Sequence, residues 1–399
     1  MTHVPGALLA EKFGGKHTLG LAMLSTTILT LLVTFAIEIG DWIALVVLRI
    51  LMGLGQGIVF PALTVLTAHW APASEVSSMT AVIFVGIDLG IIVGSLLSGL
   101  ILEYSSYGWP MIFYVFSSFG IIWYILWLAL VYSYPHKHAF ISTSELKYLE
   151  SSMASYKLKK LPPFPWKHVM KSKPFWALMA AQIGNDWGLY TLLNDLPKYM
   201  SSVLKLRPEL NGYFTALPHF VASFYVLIVS WVTDKSISAN HVSKTNARKI
   251  NTSISTIGPA TFLILASYVG CERGLVVFCF VIGVTLMNSS LIGIKVNSLD
   301  LSPNYAGTIT ALTNGVASLT GLGTSSIIGH IVDHDTRTEW QTVFWLAAVI
   351  FFITNTIFLF YASGEIQEWN DPDAMKKRKE KTISNNELNS DVKEKVDIK

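Results

Sequence analysis

Ten apolar stretches, each close to the roughly 20 residues that an α-helix needs to cross a bilayer core, recur along this chain of 399 residues. They run from Thr18 to Ile37, Trp42 to Leu66, Met79 to Leu102, Trp109 to Tyr132, Pro174 to Met200, Gly212 to Thr233, Ile250 to Val269, Gly274 to Val296, Gly307 to Val332 and Val343 to Tyr361. Hydrocarbon offers no water to backbone N–H and C=O groups, so a chain dissolved in it must close those bonds within helices or a sealed barrel. Runs this long and continuous fit helices, and an all-α polytopic membrane protein is expected. Side chains that are 52% hydrophobic and only 14% charged exclude a soluble enzyme and a disordered chain.

Loop charge sets the orientation of such a protein. Of the 29 Lys and Arg residues, 22 fall on one side: Lys12 and Lys16, the lysines from Lys137 to Lys173, the group from Lys235 to Lys249, and the tail from Lys376. That side, with the C-terminus, is expected to be cytosolic. Cys271 and Cys279 lie too far from any metal-ligand or disulfide pattern to imply redox chemistry. The segment "HIVDHD", with His330, Asp333, His334 and Asp335, has ligand types but no further ligand nearby, so no metal site is assigned.

The polar stretch between Ser133 and Lys173 divides the chain unevenly. Residues 1–132 are expected to form an N-terminal bundle of four spans and a stub, 133–173 a cytosolic central loop, 174–361 a six-helix bundle, and 362–399 a disordered cytosolic tail. The stub's apolar run, Val4 to Ala10, is too short to cross and reads as the end of a missing helix. A weak internal repeat supports two related halves: "LAEKFGGK", holding Glu11, Lys12, Gly14 and Lys16, and "VTDKS", holding Asp234. Each sets an acid and then a base at a cytosolic helix end, where charged hydrogen bonds can tie neighbouring helices together.

Polar residues within the spans are the candidates for function, because ionisable groups there are costly to bury. Arg49 and Gln56 are seven residues apart and share a helix face, with Met52 and Gly53 completing the stripe. An arginine cannot escape burial by losing its proton, so it needs water, an interfacial position or an anionic partner. Gly53, Gly55 and Gly57 permit close helix contact, and Pro61 is expected to bend the cytosolic half of the span. Asp88 lies near mid-span, either as a proton carrier or as a structural acid at a helix crossing built on Gly86, Gly90 and Gly94. In "AAQIGNDWGLYTLLNDLPKYM", Asn185 and Asp186 precede Tyr190 and Asn194 in a polar stripe that a water-filled path would explain, with Trp187 able to close it. Thr310, Thr313, Asn314 and Ser318 form a weaker stripe, since hydroxyls also bond their own helix backbone. Lys295, near the end of its span, is expected to snorkel to the cytosol.

Taken together, "PGALLAEKFGGK", "RILMGLGQGIVFPAL", "HWAPASE", "GWPMIFYVF", "NDWGLYTLLNDLP", "NSLDLSPNYAG" and "EWQTVFWLAA" resemble the anion:cation symporter family. This is the branch of the major facilitator superfamily that includes sialin, the vesicular glutamate transporters and the type I sodium-phosphate cotransporters. The similarity runs from Val4 to about Asn370. It implies two pseudo-symmetric six-helix bundles, here lacking the first helix and part of the second, and alternating-access transport of organic or inorganic anions driven by sodium, protons or voltage. By position Arg49 looks like the family's anion-binding arginine. Gln56 stands where sialin-like and glutamate-type members have a glutamate, and Asn185 where the glutamate carriers have an arginine. Lys295, Ser298 and Asn304 replace the family's usual asparagine, histidine and arginine.

The function expected is therefore secondary active transport of a phosphate-like or sialic-acid-like anion. Arg49, Gln56, Asn185, Tyr190 and Asn314 are the candidates for binding, Asp88 and Asp186 for ion coupling, and Glu11, Lys12, Gly14, Lys16 and Asp234 for gating. Sodium or voltage is favoured over protons because Gln56 cannot titrate. The alternative is a transport-inactive sensor or subunit. An enzyme is disfavoured, for no positioned nucleophile or dense metal cluster is visible at membrane depth. No cofactor beyond the coupling ion and no nucleic-acid partner is implied; a monomer in lipid is expected, in the plasma membrane or a vesicular or lysosomal one.

Overall fold

The chain turns first at two residues with positive φ. α1 (His3–Phe13) ends at Gly14, whose φ of +91° suits glycine alone, and α2 (Gly15–Leu31) sets off from it. A Cβ on Gly14 would also strike the side chain of Ser133. The next segment, α3 (Val33–Gln56), is interrupted at Asp41, with φ +51°. With ψ at −145° this lies outside the left-handed helical region that aspartate tolerates, so the backbone at Asp41 is strained. Val33 shares an apolar cluster with Leu48 and Met52, so the chain reverses at Asp41 and the first two spans form a hairpin. α3 then gives way to α4 (Val59–Trp70) one turn before Pro61, which lacks the N–H that would bond Gly57 and whose ring would crowd that carbonyl. The break therefore falls upstream of the proline.

This computed structural model describes residues 2–72, 74–153, 162–192, 208–269, 272–334 and 336–371. Asn194, Cys271, Asp335 and the tail beyond 371 lie outside the described residues. α5 (Val76–Tyr104) and α6 (Pro110–Leu130) complete the first half. The central segment carries α7 (Thr143–Met153) and α8 (Trp166–Val169). The second half contains α9 (Lys173–Tyr190), α10 (Pro208–Ser238), α11 (Lys244–Tyr268) and α12 (Arg273–Met287). A π-helical turn, Leu291–Lys295, leads into α13 (Val296–Leu301). α14 (Ala306–Ala317) and α15 (Leu319–Ile331) meet at Ser318, and α16 (Arg337–Tyr361) closes the bundle. Among the described residues seven helical stretches are long and apolar enough to cross a membrane. The remaining apolar runs correspond to α2, the polar α9 and the kinked pair α14–α15.

The second half is tightly packed. Gly184 and Gly188 let α9 lie against Thr354 and Phe351 of α16 so closely that a Cβ at either would overlap those side chains. In α5 the crossing expected around Asp88 is present, for Asp88 meets His219 of α10, but it is not built on the glycines: a Cβ at Gly86, Gly90 or Gly94 would have no neighbour within 4 Å. Residues 362–371, expected to belong to the disordered tail, are ordered on the bundle. Trp369 is buried with Phe175 and Tyr305, and the Asn370 side-chain oxygen accepts from the Ser302 hydroxyl at 2.6 Å and from the Asn304 amide at 3.1 Å. Trp369, Asn370 and backbone bonds at Ser363, Gly364 and Gln367 to Asn297, Thr245 and Leu301 together hold residues 362–371 on the bundle.

Candidate functional site

Between the two halves lies a cavity of about 290 Å³, walled by α1, α4, α5, α9, α10, α12, the π turn, α14 and Ser318. Among the described residues its one lysine is Lys295, the last residue of the π turn. An i→i+5 turn inserts one residue into the helical register, which rotates the residues after it by about 100° relative to an unbroken α-helix. The turn fits here because Gly293 lies against Thr252, where a Cβ would meet backbone. Lys295 does not snorkel: its Nζ donates to Asn314 Oδ1 at 2.7 Å and sits 5.5 Å from the centre of the Phe60 ring. A lysine can only donate, so this bond fixes the orientation of the Asn314 amide. Asn314 Nδ2 is then a buried donor with no hydrogen-bond partner among the described residues.

Across the cavity α9 presents Asn185, Asp186 and Tyr190. The Asp186 carboxylate accepts from Gln182 Nε2 at 2.6 Å and from Asn185 Nδ2 at 3.5 Å, and it interacts electrostatically with Lys295. Asn185 Oδ1 and His3 Nδ1 are buried without partners. Buried polar atoms are nearly always paired, so three orphans on one cavity wall mark a place where water or a ligand completes the bonding. Trp187 is not part of this wall and lies toward Gly323 of α15.

Asp88 of α5 accepts a hydrogen bond from His219 Nδ1 of α10 at 2.8 Å, and both residues are buried on the cavity wall. Arg49 and Gln56 are elsewhere. With Gly53 they occupy the exposed face of α3, and none of them lines the cavity. Met52 leaves their stripe to pack in the cluster that holds Phe113, because the inward face of this helix passes between them.

The two halves also meet at the end that carries the basic loops. Glu11 Oε1 accepts from the Thr308 N–H at 2.9 Å and from its hydroxyl at 2.8 Å. Asp234 Oδ2 accepts from the Ser78 N–H at 2.7 Å and from its hydroxyl at 2.8 Å. Thr308 and Ser78 are each the third residue of a helix, α14 and α5, whose free N–H groups attract negative charge. Each acid therefore caps a helix of the opposite half. Arg248 adds a third tie, donating to Asp300 at 2.6 Å and to Ser77 at 2.9 Å. Lys16 Nζ donates to the Leu128 carbonyl near the end of α6 at 2.7 Å, while Lys12 is exposed beside the Phe13 ring.

The family model for the Major Facilitator Superfamily matches residues 1–325. The chain belongs to that superfamily. It is 37% identical over 377 residues to a putative inorganic phosphate cotransporter of Drosophila melanogaster, covering 94% of this chain and 71% of the relative. Human sialin is 37% identical, with 92% and 74% covered. Bovine vesicular glutamate transporter 1 is 32% identical, with 95% and 68% covered. Membership therefore extends to the branch that these three represent. Among solved structures, a proton:xylose symporter, XylE, superposes with a TM-score of 0.72 at 13% identity, covering 92% of this chain and 85% of the other. The human organic anion transporter MFSD10 gives 0.60 at 13% identity, covering 90% and 80%. The protein is a multi-pass membrane protein with the fold of a transporter.

Sequence reasoning passed over His219, Gln182 and the burial of Arg248. His219 had a usable signal, an imidazole in the middle of an apolar run. Gln182 sits four residues before Asp186, on the same helix face. Nothing local marks Arg248, whose partners are 52 and 171 residues away.

Proposed function

We propose that this protein is a secondary active transporter that carries a small organic or inorganic anion by alternating access, with the anion seated on Lys295 and Asn314. The observation that carries the reading is the bond from Lys295 Nζ to Asn314 Oδ1, which sets a lysine head and an unpartnered amide donor side by side on the cavity wall. A carboxylate or phosphate oxygen takes both kinds of donor, and hydrogen bonds to charged groups are the strong ones. Asn185 and Tyr190 face the same space and orient the rest of the substrate. The family relatives named above, for phosphate cotransport, sialin and glutamate transport, make an anion the natural cargo. With the basic end cytosolic, the reciprocal caps hold the cytosolic side closed, and transport requires breaking them. Arg49 and Gln56, on the open face of α3, serve as a separate contact for the approaching anion rather than as part of the seat.

Uptake of labelled phosphate, sialic acid and glutamate into proteoliposomes, under imposed sodium, proton and voltage gradients, tests the reading. Lys295→Met is expected to lower uptake of the carried anion at least about tenfold, the range for losing a charged hydrogen bond. Arg49→Ala should cost less. Wild-type uptake by Lys295→Met at normal membrane abundance would remove the seat from this location.

A further inference from the structure

Asp88 and His219 join helices of opposite halves, α5 and α10, and the sequence distance between them is 131 residues. Only 5% of Asp88 and 8% of His219 is exposed. Around them the wall is apolar, formed by Phe84, Ile87, Ile91 and Pro218. Such a pair, with a neutral imidazole, leaves a net negative charge at membrane depth, which is costly to bury. One proton added at Nε2, the ring nitrogen not engaged with Asp88, converts it into a neutral-sum ion pair with a charge-assisted hydrogen bond.

We propose that Asp88 and His219 form a proton-operated latch between the halves. A proton entering through the cavity binds the imidazole ring, strengthens the link from α5 to α10, and holds the conformation with the basic end closed. When the halves part, the proton leaves the imidazole for water. The latch supplies a titratable group where Gln56 has none, and it makes each conformational cycle sensitive to pH on the two sides. His3 of α1, Asp186 and Tyr190 of α9 and Lys295 of the π turn are the other titratable groups on this wall. α4 and α12 contribute Phe60, Val284, Met287 and Asn288, none of them titratable, and α6, α11 and α13 contribute nothing to it. Tyr225, also on α10, bonds to Ser289 and lies outside the cavity.

The latch is tested without any substrate. Spin labels are placed through Glu75→Cys and Ala239→Cys, at the basic ends of α5 and α10, in the full chain carrying Cys271→Ser and Cys279→Ser and reconstituted in liposomes. Lowering the pH from about 8 to about 5.5 should raise the ratio of short to long distances about tenfold, the change that one hydrogen bond to a charged group supports. His219→Gln and Asp88→Asn should abolish the response, while Asp88→Glu and His3→Gln retain it. An unchanged response in His219→Gln, or none in the labelled parent, overturns the latch; if Asp88→Asn does not insert, His219→Gln decides alone. Use of the latch in coupling rests on the transport reading, and the two fail separately. A pH-dependent distance in a protein that carries no anion sinks the transporter and spares the latch; anion uptake with no pH-dependent distance does the reverse.

Discussion

The two halves are comparably apolar in sequence and differ in how they use it. Along Val33–Trp70 in the first half, 17% of the most apolar window is buried against protein, whereas along Gly274–Leu301 in the second it is 61%. In lipid, apolar side chains gain little by preferring a neighbouring helix, and association rests on close backbone approach and interhelical hydrogen bonds. The second half has both devices. Gly184 and Gly188 admit α16, and side chains bond between helices: the Ser253 hydroxyl of α11 donates to Asn355 Oδ1 of α16 at 3.3 Å, and Asn251 Nδ2 of α11 donates to the Thr233 hydroxyl of α10 at 3.3 Å. Glycines are as frequent on α5, yet Gly86, Gly90 and Gly94 face open space. A small residue is therefore a permission to pack and not a sign that packing occurs.

That contrast can be broken most sharply at matched glycines. Gly188→Val should destabilise the protein by about 3 kcal/mol or prevent folding, because the new side chain must displace Phe351. Gly90→Val should change stability by no more than about 0.5 kcal/mol, as expected of an uncrowded site. Thermal unfolding in detergent, followed by tryptophan fluorescence, reads both, and equal melting temperatures would erase the distinction between the halves.

A smaller effect separates the two faces of α3. Met52→Ala, at 6% exposure, is expected to cost about 2 kcal/mol, the low end for truncating a buried methionine. Arg49→Ala on the exposed face should leave the same melting curve within about 0.5 kcal/mol. A larger loss for Arg49→Ala would place it in a packed environment and reverse the assignment of faces.

The smallest expected effects lie at the basic end, where the halves mirror each other. Glu11→Gln and Asp234→Asn should each weaken closure by about 1 kcal/mol, the scale of a charged acceptor at a helix N-terminus. Labelling of cysteines introduced at Thr308 or Ser78 would be uninformative, so closure is better followed by protease access to the central segment. Similar increases for the two variants support equivalent caps; a response to only one would show that a single half controls this end.

Much of the fold was legible because lipid removes most alternatives. Apolar length located the spans, and even the hairpin at Asp41 falls between the runs ending at Ile37 and starting at Trp42. The site was legible in pieces. Asn185, Asp186, Tyr190, Asn314 and Asp88 stand out as polar residues in apolar runs, and the structure gathers them around one cavity. Lys295 was misdirected because it was read from its place near the end of an apolar run, which does not say which way the side chain turns; the π turn that ends at Lys295 leaves no mark in the local sequence. Arg49 and Gln56 share a face as the period requires, but a period cannot say what that face meets. His219 gains its meaning from Asp88, and a pairing between distant helices leaves no mark in either local sequence.

The reciprocal caps have a temporal consequence. Neither half holds the key to its own lock: Glu11 belongs to the first and secures α14, while Asp234 belongs to the second and secures α5. Freeing one acid alone exposes a bare helix end and opens no passage, so a half-released intermediate is worse than either neighbour. The basic end should behave as a toggle, with long dwells and abrupt transitions in a single-molecule record, and its speed should be set by how rarely both keys turn together.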